Sequence, residues 1–234
     1  ENDHIEKSIV PLMKNSYTGA FIGATSQKDL EDLEKLNLQI PIVLINRQSE
    51  KYSTVYTDYK AIGFQAATLF RQKGYTEAAV FTARRPYMAT GLRTQAFLNA
   101  CTQIGITVDP EEIFATANSI SGGVEAARAY CAASQPSKVI FCESDLMALG
   151  AIWELNHQGI RMPQDVELLC IGMMDPEMTE YSSPSLSTIQ MNNKEVTEKA
   201  LDLLLDAIAD GSRDPRQIEV PFQVYLRSTF QSRS

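Results

Sequence analysis

The sequence predicts an α/β protein built as two doubly wound lobes, and three observations predict it. Short apolar runs alternate with runs of helical period at the spacing of about 25 to 30 residues that βα units take. Four helical runs are followed by a glycine, at Gly74, Gly105, Gly159 and Gly211, the residue suited to the left-handed turn past a helix end. About eight or nine strand candidates occur, more than the roughly four to six of an ordinary sheet. Parallel strands joined by helices wind into an open sheet. A late helix and strand returning after Pro184 then give two lobes, with the chain crossing between them more than once. The expected partition is 1–76 plus 190–215 for one lobe and 77–189 plus 216–234 for the other.

The elements follow in order. Ala20 to Ala24 is a strand, and Lys28 to Leu36 a short helix with Ser26 as candidate N-cap. Ile42 to Ile45 is a buried strand entered by Pro41, and Val55 to Thr57 a short one. A helix runs from Ala61 to Lys73 and the strand Ala78 to Thr82 succeeds it. Leu92 to Ile104 is helical, Ile113 to Ala115 extended, and Gly122 to Ala133 helical again. Val139 to Cys142 is a central strand leading into the helix Asp145 to Gln158, and Val166 to Ile171 is the next strand. Asn193 to Ala209 is a long amphipathic helix with Val196, Ala200, Leu203, Leu204 and Ile208 on one face. A strand near Phe222 to Arg227 closes the chain.

Composition narrows the function classes. The chain of 234 residues has a net charge of −8, which disfavours binding a phosphate backbone through this segment itself. The four cysteines, Cys101, Cys131, Cys142 and Cys170, form no Cys-x-x-Cys pair and fit a reducing cytoplasm. His4 and His157 lack metal-ligand spacing, so no metal or cofactor is expected. No apolar run approaches the ~18 residues of a membrane span. Dinucleotide, Walker and nucleophile-elbow motifs are absent, and no nucleophile pairs with a histidine. Glu111-Glu112 reads as a helix start or solvated turn. An enzyme is therefore not expected.

Candidate binding residues sit where strands run into helices, because loops at the carboxyl ends of strands hold ligands in open sheets. Asp58 either accepts from ligand hydroxyls or caps the following helix. Arg93 begins a helix, where the dipole mildly disfavours a cation; its guanidinium fork suits a hydroxyl pair or an anion, with a surface ion pair as the alternative. Of Ser144 and Asp145, one caps the next helix and the other faces the ligand. Gln190 lies at an expected crossover, lining a cleft or packing a hinge. Arg84 and Arg85 either favour an acidic effector or are solvated, and Tyr87 follows them with an aromatic or polar contact to offer.

Several segments together carry a family likeness. Pro41-Ile-Val-Leu-Ile-Asn-Arg47, Thr57-Asp58-Tyr59 with Gly63 and Gly74-Tyr75, and Arg93-Thr-Gln-Ala-Phe97 come first. Ser144-Asp145, Met147-Ala148-Leu149-Gly150, Pro163-x-Asp165, Pro184-Ser-Leu-Ser-Thr-Ile189 and Leu226-Arg227-Ser228-Thr229 follow in order. Each is weak alone; in this order the chain resembles the effector-binding part of LacI/GalR-type transcription regulators over nearly its whole length. The resemblance implies a type I periplasmic-binding-protein-like fold and a small effector, a sugar or sugar derivative, held in an inter-lobe cleft. It implies a homodimer, with operator DNA bound only through a headpiece that this sequence does not contain. By the same pattern Glu1 starts about where the family's second helix begins, so the first strand, first helix and second strand are also missing from it.

The resemblance favours ligand roles for Asp58, Arg93 and Ser144 and leaves Asp145 as the cap. It places Met147 and Tyr181 at a dimer interface, with internal packing as the alternative. Met174 stands where sugar-responsive members carry an aspartate, so either Asp175 takes over through a shifted loop or the effector is less rich in hydroxyls. Ala117 stands where many members stack an aromatic ring on the ligand. The competing class is a periplasmic or extracellular solute-binding protein, against which four cysteines without an obvious pairing count.

Overall fold

Strand and helix alternate through the computed structural model, which describes residues 14, 17–23, 27–84 and 88–231. The order opens β1 (Ala20–Ile22), α1 (Gln27–Lys35), β2 (Ile42–Ile45), β3 (Ser53–Tyr56), α2 (Tyr59–Gln72), β4 (Ala79–Ala83) and α3 (Met88–Ile104). A single 3-10 turn, Pro110–Glu112, leads into β5 (Ile113–Thr116), α4 (Ile120–Ala132), β6 (Val139–Cys142) and α5 (Asp145–His157). The chain continues with β7 (Glu167–Gly172), α6 (Pro176–Glu180), β8 (Ser187–Gln190), α7 (Asn193–Asp210), β9 (Gln217–Glu219) and β10 (Gln223–Tyr225). Gly74, Gly105, Gly159 and Gly211 have φ of 89, 75, 77 and 66°, so each of the four expected helix ends does turn left-handed. Ser26, the expected cap of α1, lies outside the described residues.

The chain divides into two units. Of the described residues, those within 14–58, 88–89 and 192–221 belong to the first; those within 59–84, 90–191 and 222–231 belong to the second. The first unit holds a four-stranded parallel sheet, β1-β2-β3-β9. Helix α1 buries Leu30 and Leu33 against Ile42, Leu44 and Tyr52. Helix α7 buries Val196, Ala200, Leu203 and Leu204 against Val43, Val55 and Val220. Ile208, assigned to the same face, stays 37% exposed at the last turn.

The second unit holds a six-stranded sheet in the order β10-β8-β7-β6-β4-β5. Its strands are parallel except β10, which runs antiparallel to β8. Strands β4, β6 and β7 are buried at every residue, as expected of parallel strands covered on both faces. Successive residues serve opposite cores. Val80, Val139, Phe141 and Leu169 pack with Ile62, Phe70 and Phe97 of α2 and α3. Phe81, Ile140, Leu168 and Cys170 pack with Ala126, Tyr130, Met147 and Ile152 of α4 and α5. Glycine lets α4 and α5 approach at backbone distance: a Cβ on Gly123 would lie 1.9 Å from the Met147 carbonyl oxygen.

This partition differs from the expected one chiefly at two elements. The apolar face of α2 (Ile62, Ala66, Ala67, Phe70) is part of the second unit's core, so Tyr59–Gln72 joins that unit. Gln217–Glu219 pairs with β3, so it joins the first unit. Three elements were not expected from sequence: α6, β8 and β9. Each is short, and β8 (Ser-Thr-Ile-Gln) and β9 (Gln-Ile-Glu) lack an apolar run.

Candidate site at the carboxyl ends of the central strands

In the second sheet the chain leaves β4 for β5 on one side and returns to β6 on the other. The winding reverses between β4 and β6, and in open α/β sheets that reversal opens a crevice beyond the carboxyl ends of the strands. Thr82 near the end of β4, Glu143 just past β6, Met173 just past β7 and Gln190 at the end of β8 all stand there. Arg93 and Thr94 join them from α3, the helix that follows β4.

Arg93 is 2% exposed. Its Nη1 donates to the Met173 sulfur at 2.6 Å and lies 4.0 Å from the Met191 sulfur, and its guanidinium carbon is 5.9 Å from the Tyr59 ring centroid. A thioether is a weak acceptor, so these contacts do not replace a carboxylate or a ligand oxygen. The Arg93 Nε is buried with no hydrogen-bond partner. Burial pushes the arginine pKa down, with Tyr59, Glu143 and Asp145 acting the other way; a guanidinium nevertheless stays charged in a protein. Close packing fixes the helix that carries it: a Cβ on Gly63 of α2 would lie 2.5 Å from the Ala96 backbone of α3.

Glu143 is fully buried, which is rare for glutamate. Its Oε2 accepts from the Thr82 hydroxyl at 2.5 Å and the Thr94 hydroxyl at 2.8 Å, while its Oε1 is buried without a partner. Sequence reasoning passed over Glu143, Thr82 and Thr94. The available signal was a carboxylate directly after the fully apolar Val-Ile-Phe-Cys strand.

The structure gives the cap to Ser144 and not to Asp145. Ser144 is the N-cap of α5, accepting from the Met147 amide at 3.3 Å, and it donates to Asn118 Oδ1 at 2.6 Å. Its fully buried hydroxyl is therefore engaged on both sides, and Asn118 is the more exposed member of the pair. Asp145 is not the cap. Its Oδ1 accepts from the Leu146 amide at 2.9 Å, and its Oδ2 accepts from the amides of Met173 and Met174 at 2.6 and 2.7 Å. It thereby fixes the loop that brings Met173 to Arg93.

Asp175 does not take the place Met174 leaves open. It is exposed and caps α6, accepting from the Glu177 amide at 3.0 Å, because Pro176 starts a helix immediately after it. Gln190 is 6% exposed; its amide donates to the carbonyls of Met174 and Met191 at 2.9 and 3.4 Å, and its Oε1 is buried without a partner. Asp58 is half-buried and directly precedes α2 as the last residue of the first unit. Tyr87 and Arg85 lie outside the described residues. Arg84 is exposed and pairs with Glu125 at 2.8 Å, the solvated alternative.

Of the two interface candidates, Met147 is fully buried in the second unit's core and has no surface to offer a partner. Tyr181 is 79% exposed. Exposed Trp153, stacked on His157 with centroids 5.6 Å apart, lines a surface groove with Leu149, Asn156 and Ser182. No three His, Cys, Asp or Glu side chains gather to hold a metal among the described residues. No described helix is long and apolar enough to cross a membrane. The cluster around Arg93 supplies fixed donors and acceptors, which is binding chemistry.

Comparison with known proteins agrees with this architecture. The periplasmic binding protein-like domain family matches residues 67–230. The HTH-type transcriptional repressor CytR of Escherichia coli K12 is 28% identical over 217 residues, covering 89% of this chain and 63% of the repressor. The chain thus spans somewhat less than two thirds of that relative. A LacI family transcription regulator from Clostridium acetobutylicum has a TM-score of 0.86 and 36% identity, covering 92% of this chain and 80% of that one. A LacI family regulator from Enterococcus faecium with bound ribose shares the fold, with a TM-score of 0.79, 21% identity and coverage of 97% and 84%. The chain belongs to the LacI family of transcription regulators, as a periplasmic-binding-protein-like effector-binding domain.

Proposed function

We propose that this domain binds a small polar metabolite, a sugar or sugar derivative, at the carboxyl ends of β4, β6 and β7, and that binding controls operator affinity in a cytoplasmic homodimeric repressor. The observation that carries the ligand reading is Arg93: a buried guanidinium at the winding reversal, with thioethers as hydrogen-bond partners and Nε left without one. A buried donor without a partner costs free energy that a ligand oxygen relieves. Bound ribose in the Enterococcus faecium relative supports a sugar as ligand class. The repressor relative CytR supports regulation as the outcome.

Within this proposal Arg93 and Gln190 contact ligand, and Asn118 presents the polar group expected of Ser144. Asp58 joins them on the strength of the resemblance alone, and Tyr87 likewise. Tyr181 and Trp153 form part of the homodimer face. Control of DNA requires the ligand to bind one conformation better than another, since tight binding to both shifts nothing.

The test is calorimetric titration with a ligand drawn from a thermal-shift panel of neutral sugars and nucleosides. Saturable binding that Arg93→Ala abolishes, measured at a temperature where that variant is still folded, supports the reading. Unchanged affinity in Arg93→Ala removes this residue from the site.

A further inference from the structure

We propose that Glu143 is the counter-charge of Arg93, and that the site consequently takes an uncharged polar ligand and excludes phosphorylated or carboxylate-bearing ones. The inference rests on the reading of this cluster as the effector site and adds the ligand's charge class.

Three formal charges are buried in the cluster: Arg93 at 2% exposure, and Glu143 and Asp145 at 0%. Asp145 is neutralised locally, because three backbone amides donate to it at the start of α5. Glu143 receives only two neutral hydroxyls on Oε2 and nothing on Oε1. Arg93 receives two sulfurs and no carboxylate. A buried ion without a compensating charge is strongly destabilising, so each requires the other within the same low-dielectric region.

The structure ties them together. Thr94, which donates to Glu143 at 2.8 Å, is the residue after Arg93 on α3. Met173, whose sulfur accepts from Arg93, is held through its amide by Asp145. The cluster therefore already contains one anion for its cation, plus a second carboxylate satisfied by backbone. A phosphate or carboxylate ligand at Arg93 would add a further anion to a buried region whose one cation already has Glu143 as its counter-charge, and like charges there repel. A neutral hydroxyl or amide group would accept from the Arg93 Nε without that repulsion.

Thermal unfolding of the protein tests this with inorganic phosphate as the probe, titrated through the low millimolar range at constant ionic strength set by chloride. Wild type, Glu143→Gln, Arg93→Met and the double variant are compared. Wild type is expected to show no saturable response. Glu143→Gln, left with an uncompensated guanidinium, is expected to gain a saturable rise in midpoint that the double variant loses. The double variant is expected to be more stable than the less stable single variant, which also decides the matter if Glu143→Gln fails to fold. A saturable phosphate response in wild type that Arg93→Met removes overturns the proposal, as does a double variant no more stable than the weaker single. A lack of any metabolite binding would instead strike the effector reading and leave these unfolding curves interpretable.

Discussion

The Thr94 hydroxyl donates to Oε2 of Glu143 at 2.8 Å, joining the second turn of α3 to the residue just past β6. One residue earlier on the helix stands Arg93. This bond links a buried carboxylate to the helix that carries the Arg93 guanidinium.

Thr94→Val keeps the side-chain shape and removes that donor. Glu143 then retains a single hydroxyl in a buried setting. The expected cost is about 1–3 kcal/mol of stability, read from urea unfolding. Ligand affinity is expected to fall with it, because Arg93 loses its brace. A variant as stable as wild type would show that the bond contributes nothing.

Asp145→Asn addresses the loop after β7. The carboxylate accepts from three amides at 2.6 to 2.9 Å, and an asparagine offers one acceptor oxygen plus an NH2 that cannot accept. Hydrogen bonds to a charged group contribute about 1.5–3 kcal/mol each, so a loss of at least one such increment is expected on denaturant unfolding. Amide exchange at Met173 and Met174 should accelerate. Unaltered protection at both amides would contradict the assignment.

Gly123→Ala tests the contact of α4 with α5. The added Cβ would meet the Met147 carbonyl oxygen at 1.9 Å, and backbone cannot yield as a flexible side chain does. A loss at or above the usual ~1–3 kcal/mol of overpacking is expected as a lower melting temperature. An unchanged melting temperature would mean that the helices part at little cost.

The cysteines give a pH prediction. Burial pushes the Cys101 thiol up to about 12 and raises Cys142 and Cys170 as well; Cys131 is raised too but is only half-buried. Unfolded thiols release protons near pH ~8.5. Above that pH the folded state holds more protons than the unfolded one, so stability falls as pH rises toward 12. Native protein should react with a disulfide reagent at Cys131 first, the other three following only on unfolding. Rapid modification of Cys142 in the native state would contradict the burial described.

Much of this architecture was legible because parallel strands covered on both faces announce themselves. Val-Ile-Phe-Cys and the run through Leu168 to Ile171 are apolar at every position, and the helix ends carry glycines that turn left-handed. β8 and β9 were illegible because their polar residues find partners only in the folded protein: the Ser187 hydroxyl donates to the Phe230 carbonyl, and Gln217 accepts from Thr54. The lobe boundary was misplaced because α2 is amphipathic toward a sheet that its position in sequence does not reveal.

The site was legible where strand meets helix. Arg93 lies in the second turn of α3 rather than at the start of a helix, and Gln190 ends β8, a strand the sequence did not announce. Ser144 took the cap expected of Asp145 because a serine oxygen reaches the third amide of a helix, while the longer aspartate reached across to the next strand's loop. Glu143 escaped notice because periodicity carries no information about an isolated charge that a fold buries.

The most direct measurement of the central claim is a crystal structure of the protein with a ligand that passes the calorimetric test. The account predicts ligand oxygen within hydrogen-bond distance of the Arg93 guanidinium, its Nε satisfied, at the carboxyl ends of β4 and β6. Ligand bound elsewhere, with Arg93 still resting on the sulfurs of Met173 and Met191, would contradict it.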